Sequence, residues 1–215
     1  MPLLRNGNQK LGPSIGTFSL PAVETCPGLT STCASVCYAK RYTRRLNIDY
    51  TPELEATRAP SFVSSMVAES AWKSVVRVHV SGDFPNVAYV AKWKAIASAA
   101  PRTLFYGYTR SWRMPDLRAS LEGLAAMDNF RLMWSCDRQT GVMSWMAARD
   151  VAWLAMDDQD VPPIQVGIVF RRKTSTVLSH MITNTGRAIV CPAENGIVDN
   201  GVTCQRCRLC FREKM

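Results

Sequence analysis

Strand-like and helix-like segments alternate through the middle of this chain, and this alternation restricts most strongly what the chain can fold into. Segments rich in β-branched and aromatic residues predict four central strands, at residues 75–80, 103–108, 130–136 and 164–170. Two weaker strands, at residues 15–20 and 187–190, flank them. Because strands alternate with helices, the sequence predicts an α/β fold with a mostly parallel sheet, either open or curved into a partial (β/α)6 barrel.

The helices between these strands are predicted from their first residues and their apolar spacing. Asn86 is a good cap for one helix, and Pro115 is a good first residue for the next. Thr51 and Pro52 begin a long helix that is expected to reach Trp72. The segment after the third central strand is also predicted to be helical, with an apolar face formed by Met143, Ala147, Val151 and Leu154.

Seven of the eight cysteines fall into two tight groups. The N-terminal group has the spacing C-x6-C-x3-C and consists of Cys26, Cys33 and Cys37. The C-terminal group has the spacing C-x12-C-x2-C-x2-C and consists of Cys191, Cys204, Cys207 and Cys210. Thiols two or three residues apart can direct their sulfur atoms at one centre, as soft metal ions and iron–sulfur clusters require. The spacing therefore predicts metal or cluster binding by both groups.

The two groups differ in the cluster that they favour. The C-terminal spacing favours a [4Fe–4S] cluster over zinc, because zinc more often takes two separated C-x2-C pairs. The N-terminal group offers three sulfurs and no obvious local fourth ligand. A second cluster there could keep one open iron, or a distant side chain, with Cys136 the candidate, could complete a closed site. Three ordinary buried cysteines are the remaining interpretation.

Length and composition predict a single domain over residues 1–215, since 47% of the residues are hydrophobic. Residues 1–50 would hold the N-terminal strand and cysteine loop, residues 51–190 the β/α core, and residues 191–215 the C-terminal cysteine cluster. The chain lacks an apolar run near the roughly 18 residues of a membrane helix, and its start does not resemble a signal peptide. We therefore expect a protein of a reducing cytoplasm without a membrane partner, where clustered cysteines bind metal rather than form disulfides.

The formal net charge of +9 leaves two interpretations of the basic residues. These residues concentrate at positions 40–45 and 171–173 and near the last cysteines. Such patches attract nucleic acid or an anionic cofactor. An ordinary solvated basic surface explains them equally well, so charge alone does not define a partner.

Polar residues follow the predicted strands where a functional site would form. In α/β folds, sites lie at the C-terminal ends of the strands. Ser81, Gly82 and Asp83 follow the first central strand, and Arg110 follows the second, so these four are the candidate cofactor-binding residues. The alternative for residues 81–83 is a strand-to-helix turn in which Asp83 helps Asn86 to cap the next helix. Both cysteine groups are expected at the same rim.

Five motifs together make the chain similar to the Gene 88 protein family of actinobacterial phages. They are Thr25-Cys26-Pro27-Gly28, the segment 33–40, the segment 79–84, Tyr108-Thr109-Arg110-Ser111-Trp112, and the segment 204–210. This resemblance spans nearly the whole chain. It implies a phage protein that acts in the host bacterial cytoplasm, and it brings no established activity with it.

A more distant resemblance is to radical S-adenosylmethionine enzymes. It implies a partial barrel, a three-cysteine loop after the first strand, and a [4Fe–4S] cluster whose open iron chelates the methionine end of the cofactor. Ser81-Gly82-Asp83 takes the place of a Gly-Gly-Glu-like motif, so Asp83 would hold the cofactor amine. Arg110 would hold its carboxylate or the substrate, and the C-terminal cysteines would hold an auxiliary cluster. The loop spacing departs from the usual C-x3-C-x2-C, and Asp and Ser replace the usual Glu and first Gly.

The sequence thus predicts a phage-encoded iron–sulfur protein with one or two [4Fe–4S] clusters. The finer prediction is an enzyme like the radical S-adenosylmethionine enzymes, of undefined substrate and without an assigned catalytic residue. The alternative is a non-enzymatic iron–sulfur or zinc protein that binds nucleic acid or a host protein through its basic surface.

Overall fold

The computed structural model describes residues 2–157, 160–172, 189–194 and 202–211. The strands of this part of the chain are β1 (Arg5–Asn6), β2 (Gly16–Phe18), β3 (Val75–Val78), β4 (Leu104–Thr109), β5 (Phe130–Asp137), β6 (Val151–Ala155) and β7 (Ile168–Arg171). Its α-helices are α1 (Ser31–Ser35), α2 (Tyr38–Leu46), α3 (Thr51–Ala56), α4 (Phe62–Ser70), α5 (Val87–Ala99), α6 (Pro115–Ala125) and α7 (Cys204–Cys207). Short 3-10 turns lie at Ser111–Arg113, Ala148–Asp150, Pro192–Glu194 and Leu209–Phe211.

The seven strands form one sheet in which their spatial order is their chain order. Strand β1 runs antiparallel to β2, and every later neighbouring pair is parallel. Beyond β7, Val190 makes a parallel bridge to Val169. In the described residues β1 and β7 do not pair, so the sheet is open rather than closed into a barrel. The predicted α/β fold with an open, mostly parallel sheet is confirmed.

The two faces of the sheet are covered differently. Helices α4, α5 and α6 pack on one face, which we call the helix face, and enclose the largest apolar cluster of the protein. Trp93 is at its centre, with ring centroids 5.7 Å from Phe18 and 6.1 Å from Phe105. The opposite face, which we call the inner face, is covered by segments near both ends of the chain, including Leu11 and Phe211.

The predicted helix starts at Asn86 and Pro115 are confirmed. Asn86 caps α5, because its Oδ1 accepts a hydrogen bond of 2.9 Å from the Tyr89 amide. Pro115 is the first residue of α6. The apolar stripe of α6 is buried against the sheet, as its spacing predicts, through Leu117, Leu121 and Leu124.

The predicted helix after the third central strand is wrong. Val151 and Leu154 lie in strand β6, while Met143 and Ala147 lie in the connection before it. Four of the five β6 residues are buried, so the strand has no polar alternation and its apolar run resembles part of a buried helix. The next predicted strand, at 164–170, is shorter than expected and begins only at Ile168.

The long helix predicted from Thr51 to Trp72 is two helices, α3 and α4. Pro60 lies between them, and proline lacks the amide hydrogen that a helix interior needs and disfavours helical geometry in the residue before it. Of the strand predicted at 187–190, residues 187 and 188 lie outside the described residues, and Val190 forms only the bridge to β7. No described helix is long and apolar enough to cross a membrane.

Candidate functional site: a cysteine-lined cavity at the sheet edge

A cavity of about 480 Å³ lies at the carboxyl edge of the sheet. Its lining comes from strands β3 to β7, from α1 and α2, and from the loops that follow β1, β2, β3 and β4. All three cysteines of the N-terminal group line it, namely Cys26, Cys33 and Cys37. The structure therefore brings these cysteines together at the edge where parallel α/β sheets form their sites.

Local hydrogen bonds place Cys26 in a turn, Cys33 in the first turn of α1 and Cys37 at the start of α2. In residues 21–37, which we call the cysteine loop, the Cys26 carbonyl accepts from the Leu29 amide at 3.0 Å. Thr30 caps α1, because its Oγ1 accepts a hydrogen bond of 3.0 Å from the Cys33 amide. Cys37 itself caps α2 through its Sγ, which accepts from the Lys40 amide at 3.4 Å.

The ends of strands β4 and β5 hold the cysteine loop in place. Arg113, just after β4, donates from Nη1 to the Gly28 carbonyl at 2.9 Å. Gly28 approaches the Arg110 carbonyl so closely that a Cβ at this position would lie 2.0 Å from its oxygen. After β5, Gln139 Oε1 accepts a hydrogen bond of 3.0 Å from Ser31 Oγ. The position of the cysteines thus depends on the two central strands.

Arg110, a candidate cofactor-binding residue, lines the cavity and makes a buried ion pair with Asp137. Its Nη1 also donates to Thr30 Oγ1, and its Nη2 donates to Ser135 Oγ, each at 3.2 Å. Thr30 Oγ1 in turn donates to Asp137 Oδ2 at 3.2 Å. This network links β4, β5 and the cap of α1, so Arg110 positions the cysteine loop. Direct contact of Arg110 with a cofactor stays a prediction.

Asp83 lines the same cavity, and both of its carboxylate oxygens already accept hydrogen bonds. Oδ1 accepts from the Phe84 amide and from Thr109 Oγ1, each at 2.7 Å. Oδ2 accepts from the amides of Arg110 at 2.8 Å and Ser111 at 3.1 Å. Burial raises the pKa of this carboxyl, and these hydrogen bonds oppose the rise. Asp83 therefore joins the segment after β3 to the end of β4 and leaves the capping of α5 to Asn86.

Ser81 and Gly82 lie between β3 and Asp83 and also line the cavity. The Ser81 hydroxyl is buried and has no hydrogen-bond partner among the described residues. Gly82 has a φ of +81°, and a Cβ there would lie 2.6 Å from Thr25 Oγ1. Gly82 thus allows the start of the cysteine loop to pack directly on the segment after β3.

The surroundings of Cys26 and Cys33 raise the pKa of both thiols and so favour their protonated form. Burial, followed by the nearby Asp83 carboxylate, raises the pKa of Cys26 to about 12. Burial also raises the pKa of Cys33, although the Arg110 guanidinium opposes this. A metal that binds here must displace these protons, as is general for thiolate ligands.

Cys136, the candidate for a distant fourth ligand, lies elsewhere. Its side chain is fully buried in the apolar cluster of the helix face, with Sγ 3.7 Å from Met146 Sδ. No fourth cysteine lines the cavity in the part of the chain that the structure describes. The structure therefore does not bring Cys136 to the N-terminal group.

The C-terminal cysteines lie at the inner face and do not line the cavity. Cys204 and Cys207 are the first and last residues of α7, and Arg208, with a φ of +59°, turns the chain toward Cys210. The Cys204 amide donates to the Lys10 carbonyl at 2.9 Å. Cys191 is buried in an inner-face cluster against which Cys210 packs. The C-terminal cysteines thus do not share the cavity lining of the N-terminal group, and one rim for both groups stays a prediction.

Comparison with known proteins places the chain in a family. Residues 2–213 match the family described as Gene product 88. The chain belongs to this family. It is also 25% identical to the Gene 88 protein of Mycobacterium phage L5 over 228 aligned residues, which cover 96% of this chain and 86% of the phage protein. No solved structure matches it.

The predicted Gene 88 resemblance is therefore confirmed, and the relative is a bacteriophage protein. The comparisons do not support the more distant resemblance to radical S-adenosylmethionine enzymes. That resemblance rests on the order and chemistry of the residues alone, and it stays a prediction.

In this Gene product 88 family member, no three histidine, cysteine or acidic side chains of the described residues form a site for a single metal ion. In a [4Fe–4S] cluster each cysteine binds a different iron, so the ligands stand farther apart than those of one ion. All eight cysteines are thiols without a disulfide between any two of them. The donor set that lines the cavity consists of three thiols, those of Cys26, Cys33 and Cys37.

Sequence reasoning identified the basic runs at 40–45 and 171–173, but it missed Lys10 and Arg77 and the convergence of these cations on one cavity. Six cationic side chains line the cavity, which are Lys10, Arg41, Arg77, Arg110, Arg171 and Arg172. Among the described residues, Asp83 is the one carboxylate in this lining. Arg77 within the otherwise apolar strand β3 was the available signal, because an inward-facing charge in such a strand needs a partner.

Proposed function

We propose that this protein is a phage iron–sulfur protein of the host cytoplasm whose N-terminal cysteines hold a [4Fe–4S] cluster with one open iron at the cavity. The observation that carries the proposal is that Cys26, Cys33 and Cys37 line one cavity. The same lining, in the described residues, contains no fourth cysteine. Three-cysteine ligation leaves one iron for a small molecule, which is the arrangement of a catalytic rather than a structural cluster.

The cavity also suits a small-molecule cofactor. Its volume of about 480 Å³ falls within the range of roughly 300–1,000 Å³ that is common for ligand pockets. We infer S-adenosylmethionine as the cofactor, because its methionine end can chelate an open iron. When bound, the cluster would supply one-electron reductive cleavage of the carbon–sulfur bond at the sulfonium, with the electron taken from an external one-electron donor. The protein supplies binding, orientation and exclusion of water.

The candidate residues at the cavity divide into two roles. Ser81 offers a buried hydroxyl without a hydrogen-bond partner among the described residues, and Gly82 leaves the backbone open to a close approach. Asp83 and Arg110 are engaged with neighbouring loops, and they fix where the cysteines stand. In this proposal Ser81 and Gly82 contact the cofactor, while Asp83 and Arg110 act chiefly as positioning residues.

A second [4Fe–4S] cluster is proposed at the C-terminal group. Cys204 and Cys207 occupy one helical turn, and a left-handed residue then returns the chain so that Cys210 follows closely. Cys191 and Cys210 share one inner-face cluster. A cluster bound by all four thiols would therefore link Cys191 to the segment 204–210.

The first test is the content of iron, zinc and acid-labile sulfide per chain in protein purified without oxygen. Two clusters require about eight irons and as many sulfides. Cys37→Ala and Cys207→Ala should each remove about half of the iron. Cys136→Ala is the matched control, because Cys136 packs against Met146 and its loss should leave the iron content unchanged. Zinc without sulfide, or full iron retention in Cys37→Ala, would contradict the proposal.

The second test addresses the open iron. The electron paramagnetic resonance spectrum of dithionite-reduced protein should change when S-adenosylmethionine is added, and 5′-deoxyadenosine should accumulate. Cys207→Ala should keep the spectral change, whereas Cys37→Ala should lose it. The contrary outcome is an iron-loaded protein whose spectrum does not change when S-adenosylmethionine is added. That outcome would indicate a closed or structural cluster and would refute the enzymatic part of the proposal.

One observation favours a second candidate function, which is a nucleic-acid-binding module. Helix α2 exposes Tyr38, Tyr42 and Leu46, and it carries basic residues at positions 40, 41, 44 and 45. Aromatic rings beside cations suit single-stranded nucleic acid. Fluorescence anisotropy with a labelled single strand should then show binding that weakens steeply with salt and with Arg44→Gln. Binding that is absent at low salt would exclude this candidate.

A further inference from the structure

Arg77 is a cation on the inner side of β3 that no carboxylate of the described residues pairs with. Its Nη2 donates to Tyr38 Oη at 3.4 Å. Its guanidinium carbon lies 5.1 Å from the ring centroid of Tyr108 and 6.0 Å from that of Tyr106. Its Nε is buried and has no hydrogen-bond partner within the described part of the chain.

The Arg77 side chain is half-buried, so its guanidinium keeps some access to water while its Nε is buried. Even partial removal of a charge from water is costly unless an anion pairs with it. Contacts with aromatic faces recover only part of this cost. The stacking of Arg77 over tyrosine rings therefore fixes its orientation without neutralising its charge.

The rest of the cavity does not supply the missing anion. Asp83 is the one carboxylate in the described lining, and its two oxygens already accept four hydrogen bonds. Lys10, Arg41, Arg171 and Arg172 add further positive charge to the same lining. The wall between these cations is largely apolar, with Val23, Leu29, Leu154 and Phe170 among its residues.

We propose that Arg77 anchors an oxyanion, either a carboxylate or a phosphate, of a small-molecule substrate whose apolar body fills this cavity. Arg77 lies within β3, deeper than Ser81 and Gly82 beyond the end of that strand. Tyr38 would hold the guanidinium in place, because its hydroxyl donates to the Val80 carbonyl at 2.6 Å while it accepts from Arg77. The proposal concerns the residues of the cavity wall, and it stands whether or not a cluster forms at Cys26, Cys33 and Cys37.

The test is isothermal titration calorimetry on the full chain at constant ionic strength. The probes are inorganic phosphate, pyrophosphate and glutarate, so that phosphate and carboxylate chemistry are compared directly. We expect saturable binding of at least one probe, both in protein purified without oxygen and in protein treated with a chelator. Binding to the chelated protein separates this proposal from the cluster proposal, because it needs no iron.

Three variants complete the test. Arg77→Gln should weaken the binding about tenfold or more, because a hydrogen-bonded charge pair is lost. Arg77→Lys keeps the positive charge but lacks the planar guanidinium, so it should bind the probe with an intermediate affinity. It replaces Arg77→Gln in the test if Arg77→Gln fails to fold. Arg102→Gln is the control, since Arg102 is exposed near the opposite edge of the sheet. This variant should bind the probes with the affinity of the unmodified chain.

Three results would overturn the proposal. The first is the absence of saturable binding of any probe, and the second is equal weakening in Arg77→Gln and Arg102→Gln, which would indicate general charge attraction. The third is an iron content that falls in Arg77→Gln while anion binding stays the same. That result would assign Arg77 to the C-terminal cysteines, because burial raises the pKa of Cys210 to about 11 and the nearby Arg77 charge opposes this rise.

Discussion

Gly82 shows how a single residue can decide where a cysteine loop lies. Its φ of +81° is in the region that side chains other than glycine rarely adopt. A Cβ at Gly82 would also lie 2.7 Å from Leu20 Cβ and 2.6 Å from Thr25 Oγ1, just before Cys26. Backbone conformation and close packing therefore both require glycine at this position, next to the cavity.

Gly82→Ala should destabilise the protein more than Gly141→Ala does. Gly141 also has a positive φ, of +64°, but its Cβ would meet no heavy atom closer than 4.0 Å. Gly141→Ala should thus cost only the conformational penalty, about 1 kcal/mol. Gly82→Ala adds an overlap that typically costs about 1–3 kcal/mol in packed regions. Urea unfolding measures both, and equal losses would show that the loop adjusts without cost.

At the scale of secondary structure, the elements with a regular polar and apolar pattern could be predicted, and the uniformly apolar ones could not. Helices α5 and α6 have a cap or a first-turn proline and a stripe of apolar residues, so their starts and buried faces follow from sequence. Strand β6 is buried on both faces, so its sequence does not alternate between polar and apolar residues. The two-residue repeat that identifies a strand is therefore absent from its sequence. The break between α3 and α4 was signalled by Pro60, which the long-helix prediction overlooked.

Strands β4 and β5 are held together at their carboxyl ends by the buried ion pair of Arg110 with Asp137. Asp137→Asn should lower the free energy of unfolding by about 3–5 kcal/mol, because it leaves a buried guanidinium unpaired. Glu122→Gln is the control on α6, where an exposed ion pair with Arg118 should contribute about 0.5 kcal/mol or less. Chemical denaturation measures the two losses.

Asp137→Asn should also increase the local opening of the cysteine loop more than that of the rest of the protein. Arg110 and Asp137 both contact Thr30, which caps α1. Hydrogen exchange of residues 28–35 should therefore accelerate in Asp137→Asn more than exchange in α5 does. Uniform acceleration across both segments would mean that the ion pair supports only global stability.

For the whole molecule, the sequence could identify the cysteine groups but not the surfaces that they occupy. Spacing alone singled out seven cysteines, and it left open whether Cys136 joins them. Only the fold shows that β5 directs Cys136 to the helix face while the other groups lie at the sheet edge and inner face. The cavity arises from residues that are distant in sequence, so no local pattern could predict it, and the charge of Arg77 within the apolar strand β3 was the local sign that was overlooked.

The inner face is closed by segments near the two ends of the chain rather than by crossover helices. Leu11 and Ile15 from the first segment pack with Phe211 from the last, above Tyr106 of β4. The Gln205 amide donates to the Leu11 carbonyl at 3.0 Å, which fixes one segment against the other. The C-terminal cysteines therefore lie in a segment whose position depends on this packing.

Phe211→Ala should reveal this dependence without any metal. The ring of Phe211 is buried, and its centroid lies 4.9 Å from that of Tyr106, so its loss should cost about 3–5 kcal/mol in urea unfolding. Leu46→Ala, at a half-exposed position on α2, should change stability by about 0.5 kcal/mol or less. If a cluster binds at the C-terminal group, it should hold the segment of Phe211 to Cys191 and so offset part of the Phe211→Ala loss in iron-loaded protein. An equal loss in loaded and chelated protein would show that packing alone closes the inner face.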